Sequence, residues 1–119
     1  MKKYTDLEVW IKSRALVSQV YTLSKDFPAE EVYGLTSQIR RSAISIPSNI
    51  AEGCGRQTDK ETIHFLYIAR GSLYELETQL FLSKDLSYIN NIALEEVLAQ
   101  IQVSMKLLNG FINYYKSKS

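Results

Sequence analysis

Apolar residues recur at three- and four-residue steps along four segments of the chain, the period of a helix buried along one side. In the first segment Leu7, Trp10, Ile11, Val17 and Tyr21 carry the stripe, and Thr5-Asp6-Leu7-Glu8 has the form of a capping box. A helix is predicted there over about residues 6–25. Asp26 to Glu31 breaks the pattern, with one short turn started by Pro28. The second segment, about residues 33–53, aligns Leu35, Ile39, Ser42/Ala43, Ile46 and Ile50. Pro47 lies within it, removes one backbone donor and crowds the preceding turn, which predicts a kinked helix rather than two helices. Gly53-Cys54-Gly55 is expected to end this helix through a left-handed glycine cap. Thr58-Asp59-Lys60-Glu61 is a second capping box, opening a helix that carries Phe65, Ile68, Ala69, Ser72, Leu76 and Gln79/Leu80 to about Lys84. Gly71, beside Ala69 and Ser72, predicts a close approach by another helix, because an interior glycine otherwise costs about 1 kcal/mol. Leu94, Leu98, Ile101, Met105, Leu108, Ile112 and Tyr115 mark a fourth helix over about residues 91–115, with Lys116 to Ser119 expected to fray.

The connections are short, so the predicted fold is all-α: an antiparallel up-down-up-down four-helix bundle, kinked in its second helix at Pro47, in one domain spanning residues 1–119. An apolar content of 45% supports a packed core, and only five glycines and two prolines argue against a turn-rich β fold. The third and fourth helices carry more apolar residues than one buried stripe needs: Ile63, Leu66, Tyr67, Leu73, Tyr74, Phe81 and Leu82, then Ile92, Val97, Val103, Leu107, Phe111 and Tyr114. That surplus suggests a second apolar face used for self-association. The N-terminal residues form no uninterrupted apolar stretch, so no signal peptide is expected. No apolar run is long enough to cross a bilayer, and a cytoplasmic protein without membrane contact is expected.

Chemistry-bearing residues are few. A single cysteine, Cys54, excludes an internal disulfide and a four-thiolate zinc site. Glu61 and His64 have the Glu-x-x-His spacing of di-iron bundles, but His64 is the only histidine, and such a site needs the motif twice. Glu61 is better explained as the capping partner of Thr58. Cys54 and His64 could pair as nucleophile and base, yet no hydrolase, metalloprotease or phosphate-loop motif accompanies them. No enzyme, metal or cofactor is expected. With a net charge of +1, the chain is not a polybasic nucleic-acid binder. Its most suggestive polar set is Arg40, Arg41, Arg56 and Arg70, with Lys116 and Lys118 in the tail. Guanidinium groups recognise phosphate bidentately, so these six are the candidate nucleic-acid-binding residues. The competing account makes them scaffold ion pairs, Arg70 with Glu75 or Glu77, and Arg41 or Arg56 with Glu52. Arg40 and Arg41 point about 100° apart on a helix, so at most one can face the core. Pro47, Asn49, Glu52 and Gly53 are expected to be structural, with Asn49 or Glu52 bonding to another helix.

Three stretches carry a resemblance to a known family: Leu7-Glu8-Val9-Trp10, the run from Leu35 to Gly53 containing Ser45-Ile46-Pro47-Ser48-Asn49-Ile50-Ala51-Glu52-Gly53, and the run from Phe65 to Leu80. They resemble the four-helix bundle proteins encoded in intervening sequences of bacterial large-subunit ribosomal RNA, a ribosomal-protein-labelled family, over nearly the whole chain. The resemblance implies an up-down bundle that assembles into homopentamers. The family is also similar to the accessory variability determinant of diversity-generating retroelements, a more basic pentameric barrel that engages RNA and reverse transcriptase. The combined expectation is a non-enzymatic, homo-oligomeric helical bundle associated with RNA or a ribonucleoprotein. A protein-interaction scaffold without nucleic-acid contact is the alternative.

Overall fold

The computed structural model describes residues 3–118; Met1, Lys2 and Ser119 lie outside the described residues. Four α-helices make up the chain: α1 (Glu8–Ser24), α2 (Leu35–Cys54), α3 (Asp59–Asp85) and α4 (Asn91–Lys118). Single 3-10 turns at Tyr4–Asp6 and Ala29–Glu31 precede α1 and α2. The α2–α3 and α3–α4 links, of four and five residues, are too short to carry the chain back along a helix, and Arg40 near the start of α2 bonds Ser24 at the end of α1, so successive helices run antiparallel. Each helix packs on its neighbours in cyclic order, with α2 and α3 in the most extensive contact and no diagonal pairing. The bundle measures 45 × 25 × 21 Å, its long axis matching α4 at 1.5 Å per residue.

The core runs along the axis through Leu16, Val20, Ile39, Ile46, Ile50, Leu66, Leu73, Leu76, Leu80, Ile101, Leu108 and Ile112, all nearly or fully enclosed. The stripes expected on α2 and α4 are the ones that face it, whereas that of α1 is out of phase. Its buried side is Val9, Ser13, Leu16, Val20 and Ser24, while Ile11 and Tyr21 are exposed. Ser13 and Ser24 donate to the Val9 and Val20 carbonyls at 2.6 and 2.7 Å. A serine bonded this way has its donor satisfied and occupies little volume, so it serves as a core residue. In α3, Ile68 is likewise exposed, and Leu66 and Leu73 take the buried positions.

Helix ends differ from expectation in several places. Leu7, without a side-chain bond, caps α1, and the Thr5–Glu8 box does not form. The chain enters instead through the 3-10 turn, where the Lys3 N–H donates to the Asp6 carboxylate and Tyr4 packs edge-on against Trp10. No glycine adopts a left-handed conformation: Gly55 closes α2 at φ −90°, ψ 0°. The left-handed residue is Ser87, at φ 65° after α3, where Tyr88 N–H bonds to the Ser83 carbonyl and Ser87 N–H to that of Lys84, a Schellman closure without glycine. The tail does not fray at Lys116, since α4 continues through Lys118. At α3, Thr58 caps as expected, its Oγ1 accepting the Glu61 N–H, but the Glu61 carboxylate accepts the Thr58 hydroxyl and not its backbone N–H, so only half of the capping box is present.

Pro47 lies inside α2, which continues through it as one helix. The α2–α3 contact is a polar seam of small residues. Ser72 donates to Ser45 at 2.8 Å, Ser42 donates to Glu75 at 3.2 Å, and the Thr62 hydroxyl donates to the Gly53 carbonyl at 2.8 Å. Asn49 is half-buried, but its amide donates to Ser45 of its own helix, and Glu52 is exposed and pairs with Arg56. Neither reaches another helix as expected; Ser45 makes the crossing bond on Asn49's behalf. The close approach falls at Gly53, where a Cβ would stand 3.1 Å from Phe65 Cβ and 3.2 Å from the Thr62 carbonyl oxygen. At Gly71, where it was expected, a Cβ would meet nothing.

At the opposite end, Glu31 binds the two loops together. Its carboxylate accepts the Leu35 N–H at 3.0 Å, which opens α2, and the Tyr88 hydroxyl at 2.7 Å. These two donors, the backbone one foremost, hold its carboxyl below the ordinary carboxylate range. The same bond raises the Tyr88 hydroxyl.

Gly53→Ala gains about 1 kcal/mol of helix propensity but meets backbone and Cβ atoms that cannot yield, at about 1–3 kcal/mol. Chemical denaturation should show a net loss at Gly53 and a gain of about 1 kcal/mol for Gly71→Ala in open space; a stabilised Gly53→Ala would refute the close approach. A carboxylate depressed in the folded state stabilises above its unfolded pKa, about 4.3, and that contribution disappears as pH falls through the lower folded value. Glu31→Gln should therefore lose less stability than wild type between neutral pH and about pH 3; an equal loss would show that the Glu31 bonds contribute nothing.

Candidate functional site

The six candidate cations fall into two separate groups. Arg40 and Arg41 lie on the first half of α2, beside the end of α1. Arg56, Lys116 and Lys118 lie at the far end of the bundle, with Arg70 part-way along α3. Arg41 and Arg56 are about 20 Å apart along the α2 axis at 1.5 Å per residue.

Adjacent Arg40 and Arg41 have opposite fates. Arg40 turns inward and closes α1: its Nε donates to Ser24 Oγ at 2.8 Å, an Nη donates to the Tyr21 carbonyl at 3.4 Å, and its plane stacks 4.4 Å from the Tyr21 ring centre. A cation there satisfies last-turn carbonyls and meets the negative end of the helix dipole. Arg41 is exposed and has no partner among the described residues.

Arg41 lies in a shallow groove along the outer side of α2, which it shares with Arg40, Tyr21, Val32, Tyr33, Thr36, Ser37, Ile44, Ser45 and Ser48. Two guanidinium groups and several hydroxyls line it, and no carboxylate does. Sequence reasoning missed Tyr33, Tyr21 and Ile44. The signal was the spacing 33–37–41–44–48, which runs along one side of α2 and its entry turn but reads as polar because its apolar members are few.

The other cations are engaged. Arg56 pairs with Glu52, as the scaffold account expected, and stacks 4.5 Å from the Phe65 ring. Arg70 bonds neither Glu75 nor Glu77; it donates to Asn109 of α4 at 3.1 Å and lies 4.8 Å from the Tyr67 ring. Lys116 approaches the same ring at 5.5 Å. Lys118 lies 3.7 Å from Asp59 and about 5 Å from the Tyr114 and Tyr115 rings.

A larger cleft, about 1090 Å³, opens at that end, lined by Tyr4, Cys54, Phe111, Tyr114 and Tyr115 among others. Burial raises the Cys54 thiol, which disfavours the thiolate. His64 is exposed against Phe65, with no hydrogen bond to Cys54 among the described residues. Nor do any three His, Cys, Asp or Glu side chains among the described residues come together to hold a metal ion.

The surplus apolar residues divide. Leu66, Leu73 and Val97 belong to the core, and Ile63, Leu107 and Phe111 are half-buried. Tyr67, Tyr74 and Phe81 are exposed at seven-residue intervals along the outer side of α3, with Gly71 and Thr78 between them; Ile92, Val103 and Tyr114 are exposed on α4. Among the described residues no helix is long and apolar enough to cross a membrane.

Comparison with known proteins agrees with this geometry. A family described as 23S rRNA-intervening sequence protein matches residues 5–110. A crystal structure of a protein of unknown function from the S23 ribosomal protein family of Bacteroides thetaiotaomicron is similar to this chain at a TM-score of 0.81 and 28% identity, covering 87% of this chain and 97% of the other. No curated protein matches the sequence.

Arg40→Ala should cost about 1–3 kcal/mol, since it leaves the α1 end unbonded. Arg41→Ala should stay within about 0.5 kcal/mol of wild type, as an exposed unpartnered side chain does. Equal losses in urea denaturation would refute the inward and outward assignment.

Proposed function

The chain belongs to the 23S rRNA-intervening sequence protein family, and on that premise we propose that it is a non-catalytic bundle that assembles with its own copies and associates with RNA. The observation that carries the RNA reading is Arg41, exposed and unpartnered in a groove without carboxylates. A guanidinium left free of the scaffold in such a setting is available to phosphate. Arg40, stacked on Tyr21, adds positive potential from beneath. Arg56, Arg70, Lys116 and Lys118 act as a second rim, each already tied to a neighbour and so weaker per residue. The net charge of +1 makes a single copy a poor electrostatic binder, and symmetric repetition multiplies the patch.

The outer aromatic row of α3 supports self-assembly: three exposed rings in line, separated by small residues, suit packing against another helix. A closed ring of five copies is the arrangement that the family resemblance implies. The raised Cys54 thiol and the exposed His64 support a non-catalytic role.

Light scattering should give a multiple of the 13.6 kDa chain mass. Ribosomal RNA fragments should bind with an affinity that falls steeply as salt rises, because phosphate contacts release counterions. Arg41→Ala should shallow that salt dependence and leave the assembly mass unchanged. Binding that ignores salt, or an Arg41→Ala protein that binds like wild type, would overturn the RNA reading in favour of a protein-interaction scaffold.

A further inference from the structure

Beside Arg41, the α2 groove presents a large side chain with no packing role. Tyr33 is 95% exposed, although it sits in a tightly held turn. The Val32 N–H donates to the Ala29 carbonyl at 3.2 Å and the Gly34 N–H to the Glu31 carbonyl at 2.9 Å. The Glu31 carboxylate fixes the turn to α2 through Leu35 and to the far loop through Tyr88. A large ring held out on a rigid turn loses little conformational freedom when something packs on it.

Two turns further along the same side stands Arg41, with Ser37 between them. A flat π-face followed by an unpaired guanidinium is the arrangement met by an unpaired nucleotide: the base stacks and the adjoining phosphate takes the bidentate cation. A duplex offers only half of this, since its base faces are hidden in the stack. Neither Glu30 nor Glu31 lines the groove, and the Glu31 charge is engaged by the α2 N-terminus.

We infer that the α2 groove takes single-stranded RNA, with Tyr33 as the stacking platform and Arg41 as the phosphate contact. This rests on the RNA reading above and narrows it to unpaired nucleotides.

The test compares an unstructured RNA oligonucleotide with a blunt-ended RNA duplex of equal length, each titrated against the full chain. The single strand should bind more tightly. Tyr33→Ala should weaken it roughly five- to one-hundred-fold, the range seen when one stacking residue is removed. Tyr33→Phe, which keeps the π-face, should bind like wild type, and Tyr33→Trp should show fluorescence quenching on addition of the single strand. All three changes fall on an exposed side chain and should leave folding intact. If Arg41→Ala weakens binding while Tyr33→Ala does not, or the duplex binds equally well, the RNA reading survives and this inference falls. If neither RNA binds, both fall. If Tyr33→Ala lowers the assembly mass and leaves RNA affinity unchanged, the groove is a subunit contact and the inference is overturned.

Discussion

Everything in this bundle depends on how closely α2 can lie against α3. The approach is set at Gly53, where no Cβ fits between the Phe65 Cβ and the Thr62 carbonyl. It is held by three short polar bonds, Thr62 to Gly53, Ser72 to Ser45 and Ser42 to Glu75. Serine and glycine let the backbones approach, and the bonds compensate for the polar atoms thereby enclosed. Ile39, Ala43, Ile46 and Ile50 then face the centre, and the rotation of α2 about its own axis is settled. With its inner side fixed, its outer side must carry Ser37, Arg41, Ile44 and Ser48. The groove thus lies on the side of α2 away from the core, with Ser45 adjoining both groove and seam.

That dependence accounts for the Ser-Ile-Pro-Ser-Asn-Ile-Ala-Glu-Gly run by which the family is recognised in this chain. Ser45 crosses to α3, Asn49 supports it from one turn further on, Ile46 and Ile50 fill the core, and Gly53 admits Thr62. Glu52 points away and holds Arg56, and Ser48 faces the groove. The run is largely a packing code, while the proposed contacts Tyr33 and Arg41 precede it.

The four helices were legible because α2 and α4 keep strict apolar stripes. What sequence could not supply was the count of small polar residues as core. Ser13 and Ser24 read as surface, so the α1 stripe was placed on Ile11 and Tyr21, yet each serine bonds its own preceding turn and packs inside. Glycine misled for a related reason. Gly71 and Gly53 both sit among small neighbours, and only the tertiary approach of Thr62 distinguishes them. The left-handed closure fell to Ser87, which has no local signature. Of the candidate site, the divergence of Arg40 and Arg41 followed from helical geometry alone. Which of them turned inward depended on Ser24 and the end of α1, sixteen residues away in sequence. The sequence pattern puts Tyr33 at the start of the second helix, whereas α2 begins at Leu35 and Tyr33 lies in its entry turn; nothing in a sequence marks an aromatic at a helix entry as unburied.

The cyclic neighbour order has a kinetic side. Except where α1 meets α4, each packed pair joins helices consecutive in the chain. Little loop entropy opposes such contacts, and chains rich in them fold quickly. The hairpin of α2 and α3, with the most extensive pairing and a four-residue link, is the natural nucleus. Docking α1 and α4 onto it completes the core, and the bond from Tyr88 to Glu31, spanning 57 residues, forms between loops those helices have already brought together. The turn that presents Tyr33 therefore takes its final form only once the bundle around it is packed.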